Sequence, residues 1–235
     1  MNAPLLTIKN LDTWYSSEKK VLRSLSLDLT EHEVVGLIGL NGAGKTTFLK
    51  VLSGLLTTFS SDGVWFYGRS IKFRERDFKL CRYTVFAEDN SFQYFTFREY
   101  LSYVFSAYKK KLPDVSELIH GFHFDDYVDV LLKDLSTGNR KKVFLITAFA
   151  LKPELLLLDE PVNGLDFEST EYLYRQISEY KEYGTVLFSS HILESITLTS
   201  DRVFVLENGQ ICQEFKSGQI DAAGIREALR YENDI

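Results

Sequence analysis

Nine consecutive residues, Gly39-Leu-Asn-Gly-Ala-Gly-Lys-Thr-Thr47, carry a spacing with a direct chemical meaning. Gly39, Gly44, Lys45 and Thr46 satisfy G-x-x-x-x-G-K-[ST], the pattern of a loop whose backbone amides cradle phosphates. Glycines permit the curl that turns successive N–H groups toward one anion. A helix that starts at the loop's end adds unpaired amides and the positive end of its dipole. Lys45 is expected to reach the outer phosphates, and the Thr46 hydroxyl to hold Mg²⁺. Asn41, Gly42, Ala43 and Thr47 complete the loop. These residue types at this spacing call for a nucleoside triphosphate.

A second group follows at Leu155-Leu-Leu-Leu-Asp-Glu-Pro161. A short apolar run is expected as a strand inside a parallel sheet. Its end puts Asp159 at the carboxyl edge, where ligands sit in open α/β folds. Asp159 is expected to orient Mg²⁺ through a water. Glu160 faces the γ-phosphate as candidate general base for the attacking water.

The elements that must position these groups are legible from periodicity. Val34–Ile38 reads as a buried strand and Thr46–Leu52 as a helix, so the loop lies between them. Leu5–Leu11 and Leu25–Leu29 alternate as half-exposed strands, and 64–67 and 83–87 are further short strands. From Thr96 to about Ala150 the pattern is helical, with Leu101, Val104, Phe105 and Tyr108 on one face. Helices are expected over 167–183 and 191–199, and a strand over 185–189. Strands at 203–206 and 211–215 flank Asn208-Gly209, a hairpin signal. The expected fold is α/β, with a phosphate-loop core on a mixed or parallel sheet, an antiparallel β subdomain and a helical insertion. One domain spans 1–235, with its core at about 1–87 and 151–217. The helical part is at 88–150 and an extension at 218–235.

Composition narrows the class. At 235 residues and 45% hydrophobic content the chain can bury a full core. Its net charge of −6 is the wrong sign for a protein that grips nucleic acid. Two cysteines, Cys81 and Cys212, make neither a disulfide framework nor a zinc site, as expected in a reducing compartment. The first residues lack a signal-peptide pattern, and no apolar run approaches the ~20 residues that span a bilayer.

Several motifs in order resemble the nucleotide-binding subunit of an ATP-binding cassette (ABC) transporter, over about Leu5–Phe215. Leu135-Ser136-Thr137-Gly138-Asn139 stands where that family carries the signature Leu-Ser-Gly-Gly-Gln. Asn163-Gly164-Leu165-Asp166 is similar to the loop lining the dimer interface, and Ser189-Ser-His191 to the switch histidine. Tyr15 sits where the family stacks a ring on adenine. The resemblance implies ATP with Mg²⁺, and a head-to-tail dimer with itself or a second cassette subunit. In that dimer each signature contacts the γ-phosphate held by the other subunit. It also implies an integral membrane permease as partner, ATP-driven transport in the export direction, and a cytoplasmic place at the inner face of the membrane. The alternative is a soluble cassette acting on ribosomes or nucleic acid. Such proteins usually join two cassettes or insert a long coiled coil, and this sequence does neither.

Three departures from the family pattern matter chemically. Thr137 replaces the first signature glycine and Asn139 the glutamine. A β-branched residue tolerates positive φ poorly, so the backbone is expected to be ordinary at Thr137. Ser136 is expected to cap a helix beginning near Gly138, the position retained for close approach to phosphate. Where the family carries a glutamine that contacts the metal, this chain has Glu88, with Gln93 as the other choice. Finally, eight aromatic residues, from Phe92 to Tyr108, crowd the stretch where the family receives helices of its membrane subunit. Their helical spacing accounts for part of them as core, and the rest are expected to form a docking surface.

Overall fold

A computed structural model describes residues 4–16 and 19–230. The ends of the expected domain, 1–3 and 231–235, lie outside the described residues. Two long strands open the chain, β1 (Leu6–Ser16) and β2 (Lys19–Leu29), paired antiparallel with irregular register beyond Ile8. They are longer than the sequence pattern, because the breaks in register interrupt the period-two alternation on which that pattern depends. Strands β3 (Val34–Ile38) and helix α1 (Lys45–Leu52) flank the glycine loop. Then come β4 (Phe59–Ser60), β5 (Gly63–Phe66), β6 (Arg69–Ser70), α2 (Arg76–Cys81) and β7 (Arg82–Val85). The stretch read as helical resolves into α3 (Phe97–Ala107), α4 (Ser116–Gly121) and α5 (Thr137–Leu151), joined by irregular chain and single 3₁₀ turns. The second half alternates β8 (Leu155–Asp159), α6 (Phe167–Glu179), β9 (Thr185–Ser190), α7 (Leu193–Thr199), β10 (Arg202–Glu207), β11 (Gln210–Lys216) and α8 (Ala222–Arg230).

Two sheets result. One is antiparallel, β2-β1-β5-β6, with β4 on β1. The other runs β11-β10-β3-β9-β8-β7 and is parallel except for the β10–β11 hairpin. Alternate residues of its central strands enter different cores. Val34, Leu156, Leu158, Val186 and Phe188 pack with α3, α5 and α6. Val35, Leu37, Leu155, Leu157 and Leu187 pack with α1 and the antiparallel sheet. Burial on both faces is why Leu155–Leu158 is continuously apolar rather than alternating. The parallel strands β3, β8 and β9 end side by side, Ile38 beside Ser190 and Asp159 beside Ser189. That register gathers three loops at one sheet edge. Among the described residues, no helix is long and apolar enough to cross a membrane.

Candidate nucleotide site

The glycine loop leaves β3 and closes on α1 through Gly44, whose φ of 111° belongs to the left-handed side open to glycine. The first turn of α1 thus carries its free amides into a cavity of about 340 Å³. Asn41, Gly42, Gly44, Lys45, Thr46 and Thr47 line it from one side, and Glu160, Asn163 and His191 from the other. Gly39 and the buried Ala43 support the loop from behind. Lys45 is turned back over its own loop, its Nζ donating to the carbonyls of Gly39 at 2.7 Å and Leu40 at 3.3 Å. Tyr15 does not line this cavity; it is more than half exposed, with its hydroxyl 3.2 Å from Thr47 Oγ1.

The two acids after β8 take different partners. Asp159 is buried; it accepts from Thr46 Oγ1 at 2.9 Å and from Ser189 Oγ at 2.7 Å. Glu160 turns its carboxylate to the cavity. Its Oε1 lies 3.5 Å from Lys45 Nζ, and its Oε2 lies 2.7 Å from His191 Nδ1. The Glu160 backbone is left-handed, φ 47°, which a residue with a side chain adopts only when its surroundings hold it there. They do so from both ends. The Glu160 N–H donates to Ser189 Oγ at 3.0 Å, and its carbonyl accepts from Lys141 Nζ at 2.8 Å. His191 lies in the turn before α7, which starts two residues later than its sequence pattern, at Leu193. Thr46 and Asp159 together make an oxygen-only donor pair, the set that Mg²⁺ takes when phosphates and waters supply its other ligands. The residues fit the ion.

The signature segment is elsewhere on the surface. Ser136 caps α5, its hydroxyl accepting from the Asn139 N–H at 3.2 Å, and the helix begins at Thr137, one residue earlier than expected. Thr137 has no positive φ, as its β-branched side chain requires. None of Leu135–Asn139 lines the phosphate cavity of its own chain. Gly138 packs against the backbone of Gly164, so that a Cβ built there falls 2.2 Å from the Gly164 oxygen. That close approach within the chain is a reason for glycine which the sequence does not reveal. Asp166 caps α6 through the Ser169 N–H and pairs with the buried Lys142 at 2.7 Å. Burial raises its carboxyl, but the Lys142 ammonium and the Ser169 contacts outweigh that and hold it well below the usual carboxylate range. Glu88 does not line the phosphate cavity either. It lines a neighbouring one of about 210 Å³ with Thr137, Arg140 and Lys141, while Gln93 is exposed on the loop before α3.

Sequence reasoning missed Ser189 as the link between the two acids, and Lys141 and Lys142 as buried groups. The one available signal was the position of two lysines ahead of the apolar run Val143–Leu151. Among the aromatic residues, Phe97, Tyr100 and Phe105 are core, and Tyr100 shares a hydroxyl contact of 2.6 Å with Tyr83. Tyr94 and Tyr103 remain 76% and 51% exposed, and Phe92 lies edge-on to Phe95 and close to Tyr103.

A phosphate loop, a strand-end acid pair and a histidine at one sheet edge define an ATP-binding cassette, and comparison with known proteins agrees. The family described as "ABC transporter" matches residues 22–163. The chain is 36% identical over 222 residues to the putative ABC transporter ATP-binding protein AlbC of Bacillus subtilis, covering 92% of this chain and 93% of that one. It is 32% identical to the zinc import ATP-binding protein ZnuC of Hydrogenovibrio crunogenus, over 89% of this chain and 81% of that one. A solved ATP-binding subunit of an ABC transporter superposes with a TM-score of 0.82 at 26% identity, covering 96% and 94% of the two chains. The chain belongs to the ABC transporter family of ATP-binding cassettes, which are ATPases.

Proposed function

We propose that this chain is the motor subunit of an exporter, hydrolysing ATP to drive a separate membrane-spanning partner from the inner face of the membrane. The observation that carries the reading is the cluster in one cavity: Thr46 on Asp159, and the Glu160 carboxylate between Lys45 and His191. Arriving phosphates displace Lys45 from the Gly39 and Leu40 carbonyls, since charge-assisted bonds to phosphate are stronger than those to neutral oxygens. Lys45 then leaves Glu160, whose Oε1 becomes free to accept a proton from the attacking water. His191, held at Oε2, donates toward the γ-phosphate and fixes the direction of that water. Thr46 and Asp159 would hold Mg²⁺, which when bound would supply positive charge to neutralise the phosphate oxygens. Tyr15 takes the adenine face, and Asn163 closes the cavity from the loop that ends at Asp166.

Ser136, Thr137 and Gly138 have no nucleotide to serve in their own chain, which supports a head-to-tail dimer in which each signature completes the partner's site. Glu88 then acts from the second cavity, which it lines together with Lys141 of the signature helix. The exposed Tyr94 and Tyr103, with Phe92 and Phe95 behind them, are the surface we assign to the membrane partner. The acidic chain gives the ribosome or nucleic-acid alternative no support. Export rests on the form of the signature, Ser136-Thr-Gly-Asn-Arg-Lys-Lys142, beside Glu88. Solubilised membranes from cells carrying the tagged chain should yield it in stoichiometric complex with a polytopic membrane protein. Recovery with ribosomes, or alone, would count against the motor role. In vesicles turned inside out, ATP added outside should drive substrate inward; outward movement would reverse the assigned direction.

A further inference from the structure

Helix α5 holds the loop after β8 at three points on one face. Gly138, Lys141 and Lys142 follow the i, i+3, i+4 spacing that stacks side chains on a single stripe. Gly138 packs on the Gly164 carbonyl, Lys142 pairs with Asp166, and Lys141 donates to the Glu160 carbonyl. The segment from Glu160 to the cap of α6 is therefore fastened to the helix that Ser136 caps.

Lys141 is the unusual member. Its side chain is 4% exposed, and among the described residues no carboxylate oxygen lies within salt-bridge distance of its ammonium. Burial pushes its pKa down, and the carboxylates of Asp159, Glu160 and Glu88 act on it only through space. A buried ammonium held by one carbonyl is a costly way to fill space, and a hydrocarbon of the same shape would cost less. What the ammonium supplies is direction. It fixes the carbonyl of the residue whose left-handed backbone aims a carboxylate into the phosphate cavity.

We propose that Lys141 is a positioning residue for hydrolysis, which locks the backbone of Glu160 and ties the aim of its carboxylate to the position of helix α5. The inference rests on the assignment of Glu160 as base. Its consequence is regulatory. Ser136 lies five residues before Lys141 on the same rigid helix, so a shift of α5 when Ser136 engages the partner's nucleotide is passed to the base in its own chain.

The test compares Lys141→Met, which keeps the length and loses the donor, with Lys141→Gln, which keeps a donor. Phosphate release, ATP affinity and melting temperature are measured on the full chain, with Glu160→Gln alongside. The expected result is a loss of about 10²-fold in kcat for Lys141→Met, the scale of an ångström's misplacement. KM and melting temperature should be unchanged, and Lys141→Gln should regain about tenfold or more. Turnover in Lys141→Met within about twofold of wild type overturns the proposal. So does a rise in KM at constant kcat, or a loss of activity that tracks a fall in melting temperature in both variants. Normal turnover in Glu160→Gln would instead remove the base assignment, a failure distinct from that of Lys141.

Discussion

Substituting Gly138 by alanine tests whether helix α5 and the loop after β8 are fastened together inside one chain. The added Cβ falls 2.2 Å from the Gly164 oxygen, and ordinary contact begins at 3.4 Å, so one side must retreat by about 1.2 Å, the difference between the two. Neither side is free to do so. The loop is held by Lys141 at Glu160 and by Lys142 at Asp166, and α5 is buried from Lys141 to Leu151. Overpacking of this kind costs about 1–3 kcal/mol. For a chain of this size each 1 kcal/mol lowers Tm by about 2–4 °C. A displacement near 1 Å at Glu160 and Asn163 is worth about 10²-fold in rate. Scanning fluorimetry and phosphate release per folded molecule should therefore fall together in Gly138→Ala. Gly68→Ala serves as control: its added Cβ meets nothing within 4 Å, so any strain comes from its positive φ alone, and turnover should persist. If Gly138 were needed only for approach to phosphate, Tm would hold while hydrolysis fell. That outcome, or a variant indistinguishable from wild type, refutes the packing argument.

His191→Ala should depress hydrolysis while leaving Tm within about 1 °C, because the ring is nearly half exposed and single surface changes seldom exceed ~0.5 kcal/mol. Turnover equal to wild type would remove His191 from the chemistry. Asp166 gives a pH signature. Its folded pKa is lowered, so its contribution to stability is present above the unfolded value and is lost as pH falls toward the folded one. Asp166→Asn should lower Tm at pH 7 and flatten the acid limb of the stability curve below about pH 4; an unchanged limb contradicts the pairing with Lys142. Tyr94→Ala with Tyr103→Ala should leave Tm and basal hydrolysis alone but lower recovery of the chain in the membrane complex. Undiminished recovery would place the partner elsewhere.

The phosphate loop was legible because its chemistry is local. Consecutive residues between a strand and a helix specify both the anion and its cradle. Asp159 and Glu160 were legible for the same reason, as the end of an apolar strand. The left-handed backbone of Glu160 was not, since Ser189 and Lys141, which hold it, come from a different strand and from a helix. Lys141 and Lys142 looked like charges near a helix start, where solvation is the default. Only the packing of α5 against β7 and against the loop after β8 buries them. Gly138 invited a reading in terms of ligand approach, whereas its immediate neighbour is Gly164 of the same chain. Glu88 could be counted into place along the sequence, but the count carried no information about which of two adjacent cavities it faces. Strand lengths in β1 and β2 were underestimated where shifts in register break the alternation.

The proposed role of Glu160 in ATP hydrolysis, at the edge where β3, β8 and β9 end, is open to one paired measurement. ATP binding and phosphate release are followed on purified wild-type and Glu160→Gln chains with Mg²⁺ present. The variant should bind ATP as tightly as wild type and release phosphate about 10²–10⁴-fold more slowly, the range of a general base. Phosphate release at the wild-type rate in a folded, ATP-bound Glu160→Gln chain would contradict that role.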